Sequence, residues 1–278
     1  MTVIESPTPL SVDLDSRYTL ARAVAQQAGE RALQMFRNRA ALEVEHKGLQ
    51  DFVSIADRDV EGIVRTAVNV AFPDDAFLGE ESAAGASATL SSERVVWVVD
   101  PIDGTSCFLN GLYAWCVSIG ILVDGEPLIG VVFDPNSNEL FHAARGRGAF
   151  VGETPLNASP ACHVREGLLG VGFSHRLKPE VFMPFLGRLL GDGGMFIRNG
   201  SGALMMAYVA AGRLIGYYEP HINAWDCLAG IVLVREAGGT VNDFLANDGL
   251  LRGNPIMAAG QALYPVLMAL VEGPGEQS

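Results

Sequence analysis

Five consecutive apolar residues, Val95-Val96-Trp97-Val98-Val99, run directly into Asp100-Pro101-Ile102-Asp103-Gly104-Thr105. The run is rich in β-branched side chains and reads as a buried strand. Two carboxylates, three residues apart, therefore sit where a strand ends. Pro101 lacks a backbone donor and is expected to stop the ladder there. Gly104 lets the backbone approach a ligand closely. Asp-Pro and Asp-Gly pairs also make ordinary turns. A carboxylate pair followed by free N–H groups, however, suits a hard divalent cation that carries a phosphate.

Three further stretches turn the reading from an ordinary turn to a site. Gly79-Glu80-Glu81-Ser82 follows the short apolar segment Phe77-Leu78. Asp226 opens a helical pattern after Ala224-Trp225. Lys47, Asp51 and Asp57 lie in a polar segment before a helix. The order of these motifs, closed by Glu236-Ala237-Gly238-Gly239, closely resembles the inositol monophosphatase family, from about Arg17 to about Val271. The resemblance implies an α/β (α+β) fold, a layered α/β/α/β/α sandwich of the sugar-phosphatase type, with the site between two lobes. The expected division is an N-terminal arm at 1–15, a lobe at 16–157 with most metal ligands, and a lobe at 158–278 with Asp226 and the substrate pocket.

A chain of 278 residues with 49% apolar and 18% charged residues is long enough for one large two-lobed fold. Its net charge of −13 disfavours nucleic acid as a partner. The same charge means that an anionic substrate needs bound cations. Cys107, Cys116, Cys162 and Cys227 are scattered, form no Cys-x-x-Cys pair, and read as reduced thiols of a cytoplasmic protein. No signal peptide and no apolar run of about 18 residues is seen, so no membrane span is expected. His46, His142, His163, His175 and His221 lack zinc spacing.

Along the chain, a helix capped by Asp15 or Ser16 is expected to run to about Asn38, with Leu20, Val24, Ala28, Ala32 and Phe36 on one side. A short strand at 52–55 precedes a helix that begins near Asp57 and ends before Pro73. Residues 82–92, small and polar, read as a flexible loop beside the site. Asp124-Gly125 between two apolar runs signals a hairpin. Beyond Asn157 strands (168–173, 195–197, 214–218) alternate with helices (181–190, 203–211, 226–237). One strand ends at Glu219. The Gly238-Gly239 pair stops the helix that starts at Asp226, and a helix at 262–271 closes the chain.

The residues supply oxygen ligands, as Mg²⁺ requires. The resemblance implies two or three Mg²⁺ per subunit: Glu80, Asp100 and the Ile102 carbonyl around one, and Asp100, Asp103 and Asp226 around the other. Asp57, Thr105 and Glu80 are the implied catalytic residues, with Asp57 and Thr105 orienting the attacking water. Gly104 and Thr105 would hold phosphate oxygens at a helix N-terminus. Ser174, Gly200, Ser201, Gly202, Glu219 and Asp226 fall on pocket positions. Glu219 matches the glutamate that reads a polyol, whereas Gly202 departs from the usual alanine. Glu81 and Lys47 are weaker candidates. A lithium-sensitive inositol-1-monophosphatase that forms homodimers is the implied protein. The alternatives are a phosphatase of histidinol phosphate or fructose 1,6-bisphosphate, a 3′(2′),5′-bisphosphate nucleotidase, and, from another class, a non-catalytic regulatory binding protein.

Overall fold

The computed structural model describes residues 12–39, 44–48, 51–83, 90, 94–174 and 176–273. Residues 1–11 of the expected arm, most of the loop expected at 82–92, and the side chain of Lys47 lie outside the described residues. Helix α1 (Leu14–Arg37) begins earlier than the sequence suggests. The Asp13 carboxylate, not Asp15 or Ser16, caps it by accepting from the Ser16 N–H at 3.0 Å. A two-stranded ribbon, β1 (Val44–Gly48) and β2 (Asp51–Ser54), leads into α2 (Ile55–Ala71). Asp57 lies in the first turn of α2.

The first large sheet contains β3 (Ala76–Gly79), β4 (Val95–Asp103), β5 (Cys116–Val123), β6 (Glu126–Asp134), β7 (Glu139–Ala144), β8 (Ala149–Val151) and β9 (Thr154–Pro155), in that spatial order. Strands β3 and β4 are parallel and the remaining neighbours antiparallel. Asp124 and Gly125, both at positive φ, make the expected turn between β5 and β6. The short α3 (Thr105–Asn110) follows β4 directly.

The second sheet has the order β11 (Met195–Ile197), β10 (Leu168–Val171), β12 (Gly216–Ile222), β14 (Asn254–Gly260), β13 (Gly239–Val241). Strands β10, β11 and β12 are parallel to one another, and β14 runs antiparallel to its neighbours. Its helices are α4 (Pro179–Gly191), α5 (Gly202–Ala210), α6 (Ala224–Glu236), α7 (Gly249–Arg252) and α8 (Tyr264–Glu272).

Three apolar cores define five layers. On one face of the first sheet, Trp97, Val99, Ile119 and Val131 pack against Val24, Ala28 and Phe36 of α1 and Val60 and Val64 of α2. On its other face, Val96, Val98, Val132 and Phe141 meet α5 and α6, whose Leu204, Met206, Leu228 and Val232 also reach Tyr217, Ile256 and Ala258 of the second sheet. Beyond that sheet, Leu169, Tyr218 and Ala259 cover α4 and α8 through Phe185, Leu189 and Leu267. The order is helix, sheet, helix, sheet, helix. Because α6 is covered from both sides, its sequence is apolar all round. A Cβ on Gly130 of β6 would lie 2.2 Å from the Ala229 carbonyl oxygen, so glycine there sets how closely α6 lies on the sheet.

Candidate active site

The pairing of β4 with β5 explains how two aspartates three residues apart reach one place. Asp100 faces Ser118 and Asp103 faces Cys116, so three steps on β4 match two on β5. This one-residue bulge corrects the expectation that Pro101 ends the strand: the ladder resumes at Asp103. In a regular strand residues three apart point to opposite faces, and the extra residue restores a common face. That face is the one bearing Val96 and Val98, against the middle helices. The Ile102 N–H donates to Asp100 Oδ1 at 2.9 Å and fixes the turn of the bulge.

Both carboxylates therefore meet residues from α5 and α6. Asp103 Oδ2 accepts the Ser201 hydroxyl at 2.6 Å and the Ala203 N–H at 2.6 Å. Asp226 is not the first residue of its helix. Asn223 caps α6, and Asp226, three positions on, accepts the Asn223 N–H at 3.1 Å in a capping box. One oxygen from each of Asp100, Asp103 and Asp226 lies within 4.8 Å of the others.

Glu80 leaves the carboxyl end of β3 beside the parallel β4, its N–H donating to the Val99 carbonyl at 3.1 Å. The next residue is tied from a direction the sequence did not reveal. The Glu61 carboxylate of α2 is buried, accepts the Glu81 N–H at 2.9 Å, and pairs with Arg65 at 2.8 Å. It lies so close under β3 that a Cβ on Gly79 would come within 2.2 Å of Glu61 Oε2. Thr105 Oγ1 sits 3.1 Å from the Ile102 carbonyl oxygen and 3.4 Å from Asp57 Oδ1. Gly104, at φ 99°, precedes α3 in a backbone state that favours glycine.

Burial, followed by the charges of Glu80, Asp103 and Asp226, pushes Asp100 well above the ordinary carboxylate range. Burial pushes Asp103 up to about 8, against the opposing bonds from Ser201 and Ala203. Burial also raises Asp226, and raises Glu219 to about 7. Carboxylates this close and this dry cannot all ionise without compensating positive charge. The donor set is oxygen only, and it fits a hard divalent cation such as Mg²⁺.

A cavity of about 440 Å³ opens over this cluster. Glu80, Asp103, Gly104, Thr105 and Asp226 line it together with Ser174, Gly200, Ser201, Gly202 and Glu219. Glu219 is not at a strand end, as its sequence context suggests. Strand β12 bulges between Glu219 and Ile222 and continues through Pro220. The Glu219 carboxylate accepts the Tyr217 hydroxyl at 2.5 Å. Gly202 follows the cap Ser201 at the start of α5, and a Cβ there would meet Ile222 Cδ1 at 2.6 Å. The structure thus brings every residue singled out around the cation and the alcohol to one region. No local pattern in the chain marks Glu61, Tyr217, Arg176 or Arg198, the last three of which also line the cavity. Only proximity in space marks them.

The profile described as Inositol monophosphatase family matches residues 13–274. Nus factor SuhB of Haemophilus influenzae is 38% identical over 243 residues, which cover 86% of this chain and 90% of that protein. Nus factor SuhB of Salmonella typhimurium is 34% identical over 253 residues, 90% of this chain and 94% of that one. Extragenic suppressor protein suhB from Bartonella henselae superposes with a TM-score of 0.85 at 32% identity, over 93% of this chain and 100% of that chain. Inositol monophosphatase from Anabaena does so with a TM-score of 0.79 at 30% identity, over 95% and 98%.

Proposed function

This chain belongs to the inositol monophosphatase family and is a phosphatase, and we propose that it hydrolyses inositol 1-phosphate. The observation that carries the reading is the pairing, across one cavity, of the buried Asp100–Asp103–Asp226 cluster with a carboxylate, Glu219, held by a tyrosine hydroxyl. Asp100, Asp103 and Asp226, with Glu80 and the Ile102 carbonyl, would hold two or three Mg²⁺. Bound Mg²⁺ supplies the positive charge that acidifies water and stabilises the leaving oxygen. Thr105 Oγ1, between Asp57 Oδ1 and the Ile102 carbonyl, positions the attacking water, and Asp57 takes the hydrogen bond that Thr105 donates. The N–H groups of Gly104 and Thr105 hold phosphate oxygens at the start of α3. Glu219, oriented by Tyr217, accepts hydrogen bonds from ring hydroxyls. Ser174, Gly200, Ser201 and Gly202 shape the wall around the alcohol.

The same proposal includes inhibition by Li⁺ at a Mg²⁺ position, cytoplasmic localisation, and a lobe boundary at 157–158. It also includes a homodimer. The edge strand β11 exposes Met195, Phe196 and Ile197, an unusual surface unless another chain covers it. A second reading, from another class, is a non-catalytic regulatory binding protein; it is kept because the relatives carry the name Nus factor and not that of an enzyme. Phosphate release from inositol 1-phosphate, with and without Mg²⁺, separates the two. Asp100→Asn is expected to abolish release while the protein stays folded by circular dichroism. Near-normal turnover in that variant would overturn the metal assignment, and no Mg²⁺-dependent release by the unaltered protein would favour the binding reading.

A further inference from the structure

Strand β5 carries a hydroxyl at one position, Ser118, and that residue is wholly buried. Cys116, Gly120 and Leu122 share its face of the strand, the face turned toward the middle helices. A buried hydroxyl is unfavourable unless it finds a partner. Ser118 Oγ donates to the Trp225 carbonyl at 3.0 Å. Neither end needs this bond to complete its backbone. Ser118 pairs with Asp100 of β4 and with Val132 of β6. The Trp225 carbonyl belongs to the first turn of α6, where the N–H four residues on comes to it. The bond therefore adds nothing to ladder or helix. What it fixes is where α6 starts relative to β5.

Both ends lie beside the acidic cluster. Ser118 stands directly opposite Asp100, and cross-strand partners point to one face of the sheet. Trp225 immediately precedes Asp226. One hydroxyl thus joins the strand position next to Asp100 to the peptide that leads into Asp226. The other bonds to the cluster act elsewhere. Asp226 Oδ2 accepts from Asn223 of its own cap, Asp100 Oδ1 from Ile102 of its own strand, and Asp103 Oδ2 from Ser201 and Ala203. Asp100 and Asp226 also share a side-chain hydrogen bond. That bond needs a proton between the two carboxylates and is given up when a cation takes its place. The Ser118 bond remains.

From this arrangement we infer that Ser118 is a positioning residue for the cation. Through the Trp225 carbonyl it sets the separation of Asp226 from Asp100, and with it the affinity of the cluster for a divalent ion. This rests on the reading that the cluster holds a cation, and it goes further by naming what keeps a ligand on a sheet and a ligand on a helix in register.

The test is Mn²⁺ binding to the metal-free protein without substrate, the free ion being read by electron paramagnetic resonance; Mn²⁺ takes the same oxygen donors. Ser118→Ala removes the donor and leaves the Trp225 carbonyl its helical partner, so the fold is expected to survive. The Mn²⁺ dissociation constant should rise about tenfold, the scale of losing a group that orients a metal ligand. The Mg²⁺ concentration for half-maximal hydrolysis of an aryl phosphate should rise in parallel, with kcat at saturating Mg²⁺ within about threefold. Leu228→Val is the control, because Leu228 lies over Gly120 and loosens the same seam through packing alone. It should lower Tm and leave the Mn²⁺ constant within about twofold of the unaltered protein. An unchanged constant in Ser118→Ala would overturn the inference. So would an equal loss in Leu228→Val, which would make Ser118 a group of the fold only. If the alanine variant does not fold, Ser118→Cys, which keeps a weaker donor in place, is read instead: a loss of about threefold or more supports the inference and no loss overturns it. If the unaltered protein binds no Mn²⁺, the cation reading itself has failed, and this inference falls with it.

Discussion

Replacing Glu61 by alanine tests how Glu80, proposed here to hold a cation, is placed, although Glu61 itself lines no part of the cavity. Its carboxylate accepts the Glu81 N–H at 2.9 Å and pairs with Arg65 at 2.8 Å, in a position only 5% exposed. A hydrogen bond to a buried charged group contributes about 1.5–3 kcal/mol. The Arg65 pair adds little, because Arg65 is 36% exposed and finds water or Ser82 instead. The missing side chain also leaves space beneath Gly79, which Glu61 now fills. A total loss of about 2–4 kcal/mol follows, near the upper range for single substitutions. For a chain of this size that is a fall in Tm of roughly 5–15 °C. Since the lost bond anchors the residue next to Glu80, the Mg²⁺ concentration for half-maximal activity should rise about tenfold or more below the melting range. Glu61→Gln keeps an acceptor for the Glu81 N–H and should recover most of the Mg²⁺ response. The assay is aryl phosphate hydrolysis against Mg²⁺, beside thermal unfolding. A lower Tm with an unchanged Mg²⁺ response would refute the positioning argument, because it would leave Glu61 a purely structural group.

Three other outcomes are expected. Glu219→Gln should lower kcat/KM for inositol 1-phosphate by roughly 1.5–3 kcal/mol, the range for hydrogen bonds to a charged group, while an aryl phosphate reacts as before; equal losses on both would assign Glu219 to the metals or the fold. In a chelator, stability should fall as pH rises from about 4, where unfolded carboxylates titrate, to about 8. Asp103 and Glu219 have folded values raised to about 8 and about 7, so the stability of their protonated forms is present below the unfolded values and lost as pH passes the folded ones. Saturating Mg²⁺ should flatten this slope, and a slope unchanged by Mg²⁺ would count against a cation in the cluster; melting curves across buffers decide. Below about pH 6.5 the sign reverses for His142, whose value is lowered by burial, so that acid destabilises its neutral form's contacts with Tyr18 and Gly152. Finally, Phe196→Asp in the exposed β11 should convert a dimer to a monomer by light scattering at micromolar concentration, and an unaltered dimer mass would place the interface elsewhere.

What could be read from the sequence follows from how far each signal reaches along the chain. Asp100, Asp103 and Gly104 stand in one six-residue stretch, and Glu80 and Asp226 beside local strand and helix signals, so short-range patterns find them. The bulge in β4 could not be read, because it exists only as a mismatch with β5, and its Pro101 argues locally for a strand end. The second bulge hid Glu219 for the same reason: Pro220 looks like a terminus, yet Ile222 pairs again with Asn254. Asp226 stands where the helical pattern opens in the sequence, while Asn223 three residues earlier does the capping. Glu61 sits four residues before Arg65 on an amphipathic helix, a spacing that ordinarily marks a solvated surface pair; only the packing of α2 under Gly79 shows otherwise.

The middle layer of helices gives the cation a part in holding the molecule together. Asp100 and Asp103 arrive from the first sheet, while Asp226 lies in the first turn of a helix packed between the two sheets. A cation held by all three is therefore a clasp across the seam rather than an ornament of one half. With a cation so held, any opening that slides α6 off the first sheet would first have to release it, so local loosening and loss of metal would be one event. Each tenfold excess of Mg²⁺ over its Kd then adds about 1.4 kcal/mol against that opening. Where Mg²⁺ is scarce the mutual repulsion of the same carboxylates pushes the other way. The resistance of this seam to proteolysis becomes a gauge of the cation supply, set by the groups that the chemistry uses.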